Sequence, residues 1–333
     1  MNILVWQTAF LGDLILTTPL IASLKNLYPQ SKITLVAKGF ARAVFQNNPH
    51  LDNLLIYEKK ENFFSFIQKL KKARFDLAIS PHRSHRASLA LFLSKIPQRI
   101  GFDRAGFSFL YTKTFPHAFD GTHEIERNLS LLQGLSTYAK NKLVFEPRLY
   151  LTSKEKSIIQ TYGLTYKDYL LIAPGSKWPT KRWTRQGFQE VISYWLKKKV
   201  QVVLIGDRED APFATQITTG FNSPLLLNLV GKTSLRESFG LIKGARVILS
   251  NDSAPVHMAQ ALNTPAVVVF GPTITAFGFY PYKLGKVLEV PLKCRPCGLH
   301  GHKACPQKHH HCMQQIEVSQ VITSLENFWE KNL

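Results

Sequence analysis

The sequence predicts an α/β protein made of two doubly wound parallel sheets. Three observations predict it. Short apolar runs alternate with amphipathic helices along the chain, the alternation breaks once near the middle, and 333 residues exceed what a single core usually serves. Hydrophobic residues make up 45% of the chain and aromatics 11%, enough to fill two cores and to exclude a disordered polypeptide.

Ile3–Trp6 opens as an apolar strand. Asp13–Tyr28 follows as a helix, with Leu14, Leu16, Leu20, Leu24 and Leu27 as its apolar residues. Lys32–Ala37 is a strand, Asn62–Arg74 a helix and Leu77–Ser80 a strand. These strands are largely apolar, as strands covered on both faces are. The break lies near Val144–Ser157, where Glu146-Pro147 precedes a charged helix start. The rhythm then resumes. Tyr169–Ala173, Val200–Ile205, Val247–Leu249 and Ala266–Phe270 are strands, with helices Gln186–Lys198 and Leu235–Lys243 between them. A final helix covers Glu317–Leu333.

Lys and Arg number 42 against 22 Asp and Glu, a net charge of +20. Through Tyr150 there are 20 basic and 10 acidic residues, so each half carries +10 and the charge is a coat, not a tail. It favours acidic partners: nucleic acid, an anionic membrane or a phosphorylated glycolipid. No apolar run reaches the ~18 residues of a spanning helix. The start MNILVWQTAF lacks a basic signal-peptide region, so a cytoplasmic protein lying peripherally against the inner membrane is expected.

The densest information lies in SNDSAPVHMAQALNTPAVVVFGPT, residues 250–273. Strand, polar turn, helix with an early Pro255, and strand follow one another. Such a turn aims N–H groups and a helix dipole at an anion over the sheet edge. Asp252 and Ser253 would serve equally as plain caps. At the end of the first strand, Asp13 opens a helix. It is either a cap or a general base, and a helix N-terminus would keep it ionised and weakly basic. APGSKWPTKRW (173–183) puts a Gly-Ser turn and Lys177, Lys181 and Arg182 after a strand, where a pyrophosphate could rest. VVLIGDRED (202–210) places Asp207 and Glu209 where a ribose hydroxyl is usually met. PHRSHRASLALFL (81–93) brings His82, Arg83, His85 and Arg86 to a strand's carboxyl end. With Arg99, Arg104 and Lys113 they would form a polybasic wall.

These strings resemble the ADP-heptose:lipopolysaccharide heptosyltransferases, glycosyltransferase family nine. LGDLILTTPLIASLKNLYP, the Pro-Gly…Lys-Arg-Trp stretch, RIGFDRAGFSFLYT, HEIERNLSLL and the 250–273 string carry the likeness, from residue 3 to about 313. The resemblance implies a GT-B fold, two Rossmann-like domains facing a cleft: an acceptor domain 1–155 and a donor domain 156–315, with helix 316–333 returning to the first. It implies an inverting transferase that moves heptose from ADP-heptose to the phosphorylated inner core, Kdo–lipid A or heptosyl-Kdo–lipid A, leaning to the heptosyltransferase II type. Asp13 is then the catalytic base. Ser176, Lys181, Asp207, Glu209, Asp252, Ser253, Ala254 and His257 hold the donor, and His82, Arg83, Arg86 and Arg104 the acceptor. No cofactor is required for catalysis.

All four cysteines, Cys294, Cys297, Cys305 and Cys312, fall in CRPCGLHGHKACPQKHHHCM. A CxxC with two further thiols has the spacing of a structural zinc site, and a cytoplasmic chain would not keep them as disulfides. Two alternatives stand beside the main reading. One is a related transferase using another nucleotide sugar on a surface glycan. The other is a basic nucleic-acid binder with a Cys/His metal element, which the even charge and the missing binding signatures disfavour.

Overall fold

The computed structural model describes residues 1–58 and 60–331. The chain divides into two compact units, Met1–Tyr150 and Leu151–Leu333. The first holds β1 (Asn2–Trp6), β2 (Lys32–Ala37), β3 (Asn53–Ile56), β4 (Leu77–Ser80), β5 (Gln98–Phe102) and β6 (Lys113–Phe115). They are parallel throughout, in the order β3-β2-β1-β4-β5-β6. The chain winds outward in one direction from β1 and then in the other from β4. The switch point between β1 and β4 is where such sheets receive ligands.

The second unit repeats the plan. Its strands are β7 (Tyr169–Ala173), β8 (Gln201–Leu204), β9 (Leu226–Asn228), β10 (Val247–Asn251), β11 (Ala266–Phe270) and β12 (Gly285–Glu289). Their order is β12-β11-β10-β7-β8-β9, again all parallel, with the switch point between β7 and β10. Strands β1, β4, β7, β10 and β11 are apolar runs buried on both faces. β3, β6, β9 and β12 are partly exposed edge strands with mixed composition, and their sequences carry little strand signal.

The predicted helix Asp13–Tyr28 is two helices, Leu11–Ile15 and Thr18–Leu27. Pro19 has no N–H to give the Ile15 carbonyl. The Thr18 hydroxyl donates to it instead at 2.8 Å, while Thr17 Oγ1 donates to the Asp13 carbonyl at 2.8 Å. The break leaves Asp13 on a one-turn helix of its own.

Two boundaries differ from expectation. The Thr152–Lys156 turn belongs to the second unit, because Glu155 pairs with Arg236, whose Nε donates at 2.6 Å. The C-terminal helix, Val318–Glu330, expected to return to the first unit, belongs to the second. Val321 and Leu325 are fully buried in its core, Trp329 lies 4.7 Å from Trp195, and Glu326 accepts from Tyr194 and Lys198. Its apolar stripe matches the Trp195 surface of the helix Arg185–Lys197. Asn332 and Leu333 lie outside the described residues.

Candidate active site

The first cluster forms at the carboxyl ends of β1 and β4. Asp13 sits half-buried on its short helix and accepts the Phe10 N–H at 3.3 Å, so it does act as a local cap. Its acidity departs from expectation. Burial, with the buried Glu124 carboxylate adding to it, pushes the Asp13 carboxyl up from 3.8 to about 7, against the backbone hydrogen bonds and Arg83. Desolvation outweighs the helix terminus, so Asp13 is a base poised near neutral pH and not the weak one expected. Glu124 itself stays ionised. Burial raises it, but His117 at 3.6 Å and Arg127, with Nε at 2.9 Å and a second guanidinium nitrogen at 2.8 Å, hold it below its usual range.

Arg83 joins this group: its charge is felt by Asp13, and its own pKa is lowered by burial, with Arg127 and Arg104 adding to that and Glu124 and Asp13 opposing it. Both Arg83 and Arg127 lie against the Phe119 ring, at 5.5 and 5.3 Å. His82 is not a cation. Burial, then Lys38 and Arg83, push its imidazole down to about 4, and Nδ1 bonds the Thr8 hydroxyl at 2.8 Å. Arg104 is exposed beside Arg83. Arg86 stacks over Phe63 and Tyr57, at 5.3 and 5.9 Å. Arg99 and Lys113 leave the proposed wall altogether, since they begin β5 and β6 at the opposite end of the sheet. Arg99 is also committed to the Leu110 carbonyl at 2.9 Å.

The second cluster forms at the β7/β10 switch point. Asp252 follows β10 directly and accepts from Lys181 Nζ at 2.5 Å and from Thr273 Oγ1 at 2.6 Å. Three loops, after β7, β10 and β11, are thereby fastened to one buried carboxylate. Asn251 completes the joint: its amide donates to the Pro174 carbonyl at 2.7 Å, and its oxygen accepts the Trp183 N–H at 2.9 Å. Asp252 thereby orients Lys181 at this switch point. Ser176 is buried, with its hydroxyl accepting the Trp178 N–H at 3.3 Å and its carbonyl taking Arg182 Nε at 3.1 Å. Ser253 holds the N-cap position of the helix Ala254–Ala261 without a side-chain capping bond. Ala254 begins that helix, and His257 is buried one turn along it, 6.3 Å from the Phe279 ring. Asp207 is a cap: its Oδ1 accepts the Glu209 and Asp210 N–H groups at 2.8 and 3.1 Å. Glu209 is exposed on that same turn.

Comparison with known proteins decides what these clusters belong to. Residues 63–309 match the family model described as glycosyltransferase family 9 (heptosyltransferase). The chain belongs to glycosyltransferase family 9. An Escherichia coli protein named lipopolysaccharide heptosyltransferase 3 is 29% identical over 79% of this chain and 82% of its own length. Lipopolysaccharide heptosyltransferase 2 of Salmonella typhimurium is 26% identical over 83% and 84%. The solved Escherichia coli ADP-heptose lps heptosyltransferase II shares the fold, with a TM-score of 0.80 at 24% identity over 99% of this chain and 98% of the other. The family 9 chain is thus a transferase of the lipopolysaccharide heptosyltransferase kind with a GT-B fold.

Four site residues of this family 9 enzyme escaped the sequence reading. Glu124 and Arg127 lie on the Glu124–Ser130 helix, and only the spacing of an acid and a base at i, i+3 hinted at their pairing. Thr273 closes the 250–273 string but carries no charge to mark it. Asp210 is buried against Arg182 at 3.2 Å and fills the space over Gly175, where a Cβ would fall 1.9 Å from its carboxylate. The four cysteines lie close enough to act on one another, Cys294 and Cys305 on the Cys297 thiol and all three on the Cys312 thiol. Among the described residues no three His, Cys, Asp or Glu side chains are grouped as a metal ion requires, and all four thiols are free. The segment that bears them braces the second cluster. Arg295 donates to the Thr273 carbonyl at 2.7 Å and to the Gly271 carbonyl, and the Cys297 N–H to the Pro272 carbonyl at 2.9 Å. The His302 N–H bonds Thr180 Oγ1 at 2.7 Å, next to Lys181, and His310 Nε2 meets the Thr180 carbonyl at 2.8 Å.

Proposed function

We propose that this family 9 enzyme transfers L-glycero-D-manno-heptose from ADP-heptose to the lipopolysaccharide inner core with inversion at the anomeric carbon. Asp13 takes the proton of the acceptor hydroxyl as its oxygen bonds to the anomeric carbon. The bond to the diphosphate breaks on the opposite face, and its electron pair leaves with ADP. Lys181, held by Asp252, and the N–H groups opening the helix Ala254–Ala261 offset the charge that gathers on the diphosphate. Arg83 and Arg104 face the acidic acceptor, while burial and the Glu124 carboxylate keep Asp13 proton-hungry. His82, being neutral, orients the Thr8 loop.

The observation that carries this reading is the Asp13 carboxyl at about 7, where an ionised base and a useful driving force coexist. The solved relative described as an ADP-heptose transferase supports the donor. Relatives bearing the names heptosyltransferase 2 and 3 support an acceptor within lipopolysaccharide. Calorimetric titration with ADP, UDP and GDP tests the donor class. Selective binding of ADP is expected, and preference for UDP or GDP would change the sugar nucleotide. Asp13→Asn tests the base. It should bind ADP as the parent does and fail to transfer, whereas loss of ADP binding with turnover intact would contradict the assignment.

A further inference from the structure

Trp6 closes β1 with its indole locked in the core, 1% exposed and packed against Tyr57 and Phe66 at 5.5 and 5.9 Å. Its Nε1–H donates to the Thr8 hydroxyl oxygen at 3.2 Å. That oxygen lies 2.8 Å from Nδ1 of His82, which follows β4. The chain on either side of Thr8 is fastened too. The Gln7 N–H donates to the Val36 carbonyl at 2.9 Å, the Ala9 N–H to Gln7 Oε1 at 3.2 Å, and Lys38 Nζ to the Ala9 carbonyl at 3.2 Å. Ser80 Oγ donates to the His82 carbonyl at 2.9 Å and holds the other end.

The direction of these bonds follows from what each group can do. An indole nitrogen only donates, so the Thr8 oxygen accepts from Trp6. The Thr8 hydroxyl keeps one proton, and His82 Nδ1 is the acceptor it meets among the described residues. Nδ1 therefore carries no proton of its own. The ring is not doubly protonated either, since burial, Lys38 and Arg83 all oppose its charge. The single imidazole proton sits on Nε2, across the ring from Thr8. His82 is half-buried at the carboxyl end of β4, and Arg83 of the Asp13 cluster is the next residue.

We propose that Trp6 and Thr8 are positioning residues that fix His82 as its Nε2–H tautomer. So fixed, His82 donates to an uncharged oxygen of the acceptor sugar, a hydroxyl or the ring oxygen, beside the hydroxyl that Asp13 deprotonates. This separates His82 from its cationic neighbours. Arg83 and Lys38 suit phosphates and carboxylates, whereas a neutral N–H suits a sugar oxygen and rejects an analogue that lacks it. A neutral ring also leaves Asp13 its task, because an imidazolium in the same cluster would hold a proton ready for that carboxylate. The inference deepens the proposed function and rests on it for the ligand, while the tautomer rests on the hydrogen bonds alone.

Long-range proton–nitrogen NMR of the full chain, isotope-labelled at its histidine nitrogens, reads the tautomer with no substrate present, so the result stands whatever sugar nucleotide the enzyme takes. The His82 signals are identified by their loss in His82→Phe. At neutral pH Nδ1 should appear as an unprotonated nitrogen and Nε2 as a protonated one. Thr8→Val should mix the two tautomers and raise the acceptor KM by about three- to tenfold, the worth of one hydrogen bond, with kcat and ADP affinity near the parent's. Thr8→Ser keeps the hydroxyl and should restore both readouts. His82→Phe should raise the acceptor KM at least as far as Thr8→Val. A Thr8 that served only the fold would shift the melting curve and leave the tautomer and the KM unmoved. A protonated Nδ1 in the parent, or a parent-like acceptor KM in both Thr8→Val and His82→Phe, would overturn the proposal.

Discussion

Asp13 shows how two local forces compete over one carboxyl group. A helix terminus and the Phe10 N–H favour its charged form, and burial with Glu124 opposes it and wins. The rate of transfer should therefore rise with pH through about 7 as the base ionises, a limb that Asp13→Asn abolishes while lowering kcat by about 10²–10⁴. Stability should run the other way. The folded carboxyl titrates above its ordinary 3.8, so ionisation costs stability progressively as pH rises from there to about 7, and the full cost stands above it. Thermal melts at pH 8 should place Asp13→Asn a few degrees above the parent, a gain that fades by about pH 4. A residue that served only as a cap would show neither effect. Lys181→Ala removes the cation at the second switch point and leaves Asp252 buried with Thr273 alone. Donor KM should rise by about tenfold or more in initial-rate assays, with a smaller loss if Lys181→Arg restores charge.

At the scale of elements, the segment from Cys294 to Cys312 is a brace for the loops after β7 and β11. Arg295 alone ties the Gly271 and Thr273 carbonyls, and Thr273 in turn bonds Asp252. Arg295→Ala should weaken ADP binding measured by calorimetry by roughly 1–3 kcal/mol, since it leaves buried carbonyls without a charged donor. Asp13 transfer chemistry would be reached only through KM. Gly301 sits against Trp178 and Lys181, where a Cβ would meet Trp178 at 2.6 Å. Gly301→Val should accordingly disturb the same loop, read as a weaker ADP-induced thermal shift. The brace was not legible in the sequence, because the backbone carbonyls it holds leave no trace in a sequence pattern.

For the whole molecule, each unit carries its own parallel sheet and its own core, and the second is closed by the C-terminal helix. Leu325 is fully buried there among Val321, Trp195 and the strands β10 and β11. Leu325→Ala should lower the stability of the second unit by about 2–5 kcal/mol, seen as an earlier melting transition and a weaker response to ADP. The first unit should melt as before. The helix had been expected to return to the first unit, and its amphipathic pattern was compatible with any apolar partner. The match between Trp329 and Trp195, and the clasp of Glu326 by Tyr194 and Lys198, selected one.

The sequence by itself determined the α/β alternation, the inner strands β1, β2, β4, β7, β8, β10 and β11, and the switch-point loops bearing Asp13, Ser176, Lys181 and Asp252. Buried parallel strands and Gly- or Pro-marked turns write themselves into the order of side chains. Only the tertiary structure decided which edge strands complete the sheets, that Arg99 and Lys113 lie at the far end of the first, and that Asp207 caps its own turn. It alone decided the acidity of Asp13 and His82 as well. Acidity depends on desolvation and on charges distant in sequence, such as Glu124 and Lys38, and these act only once the fold has brought them within a few ångströms.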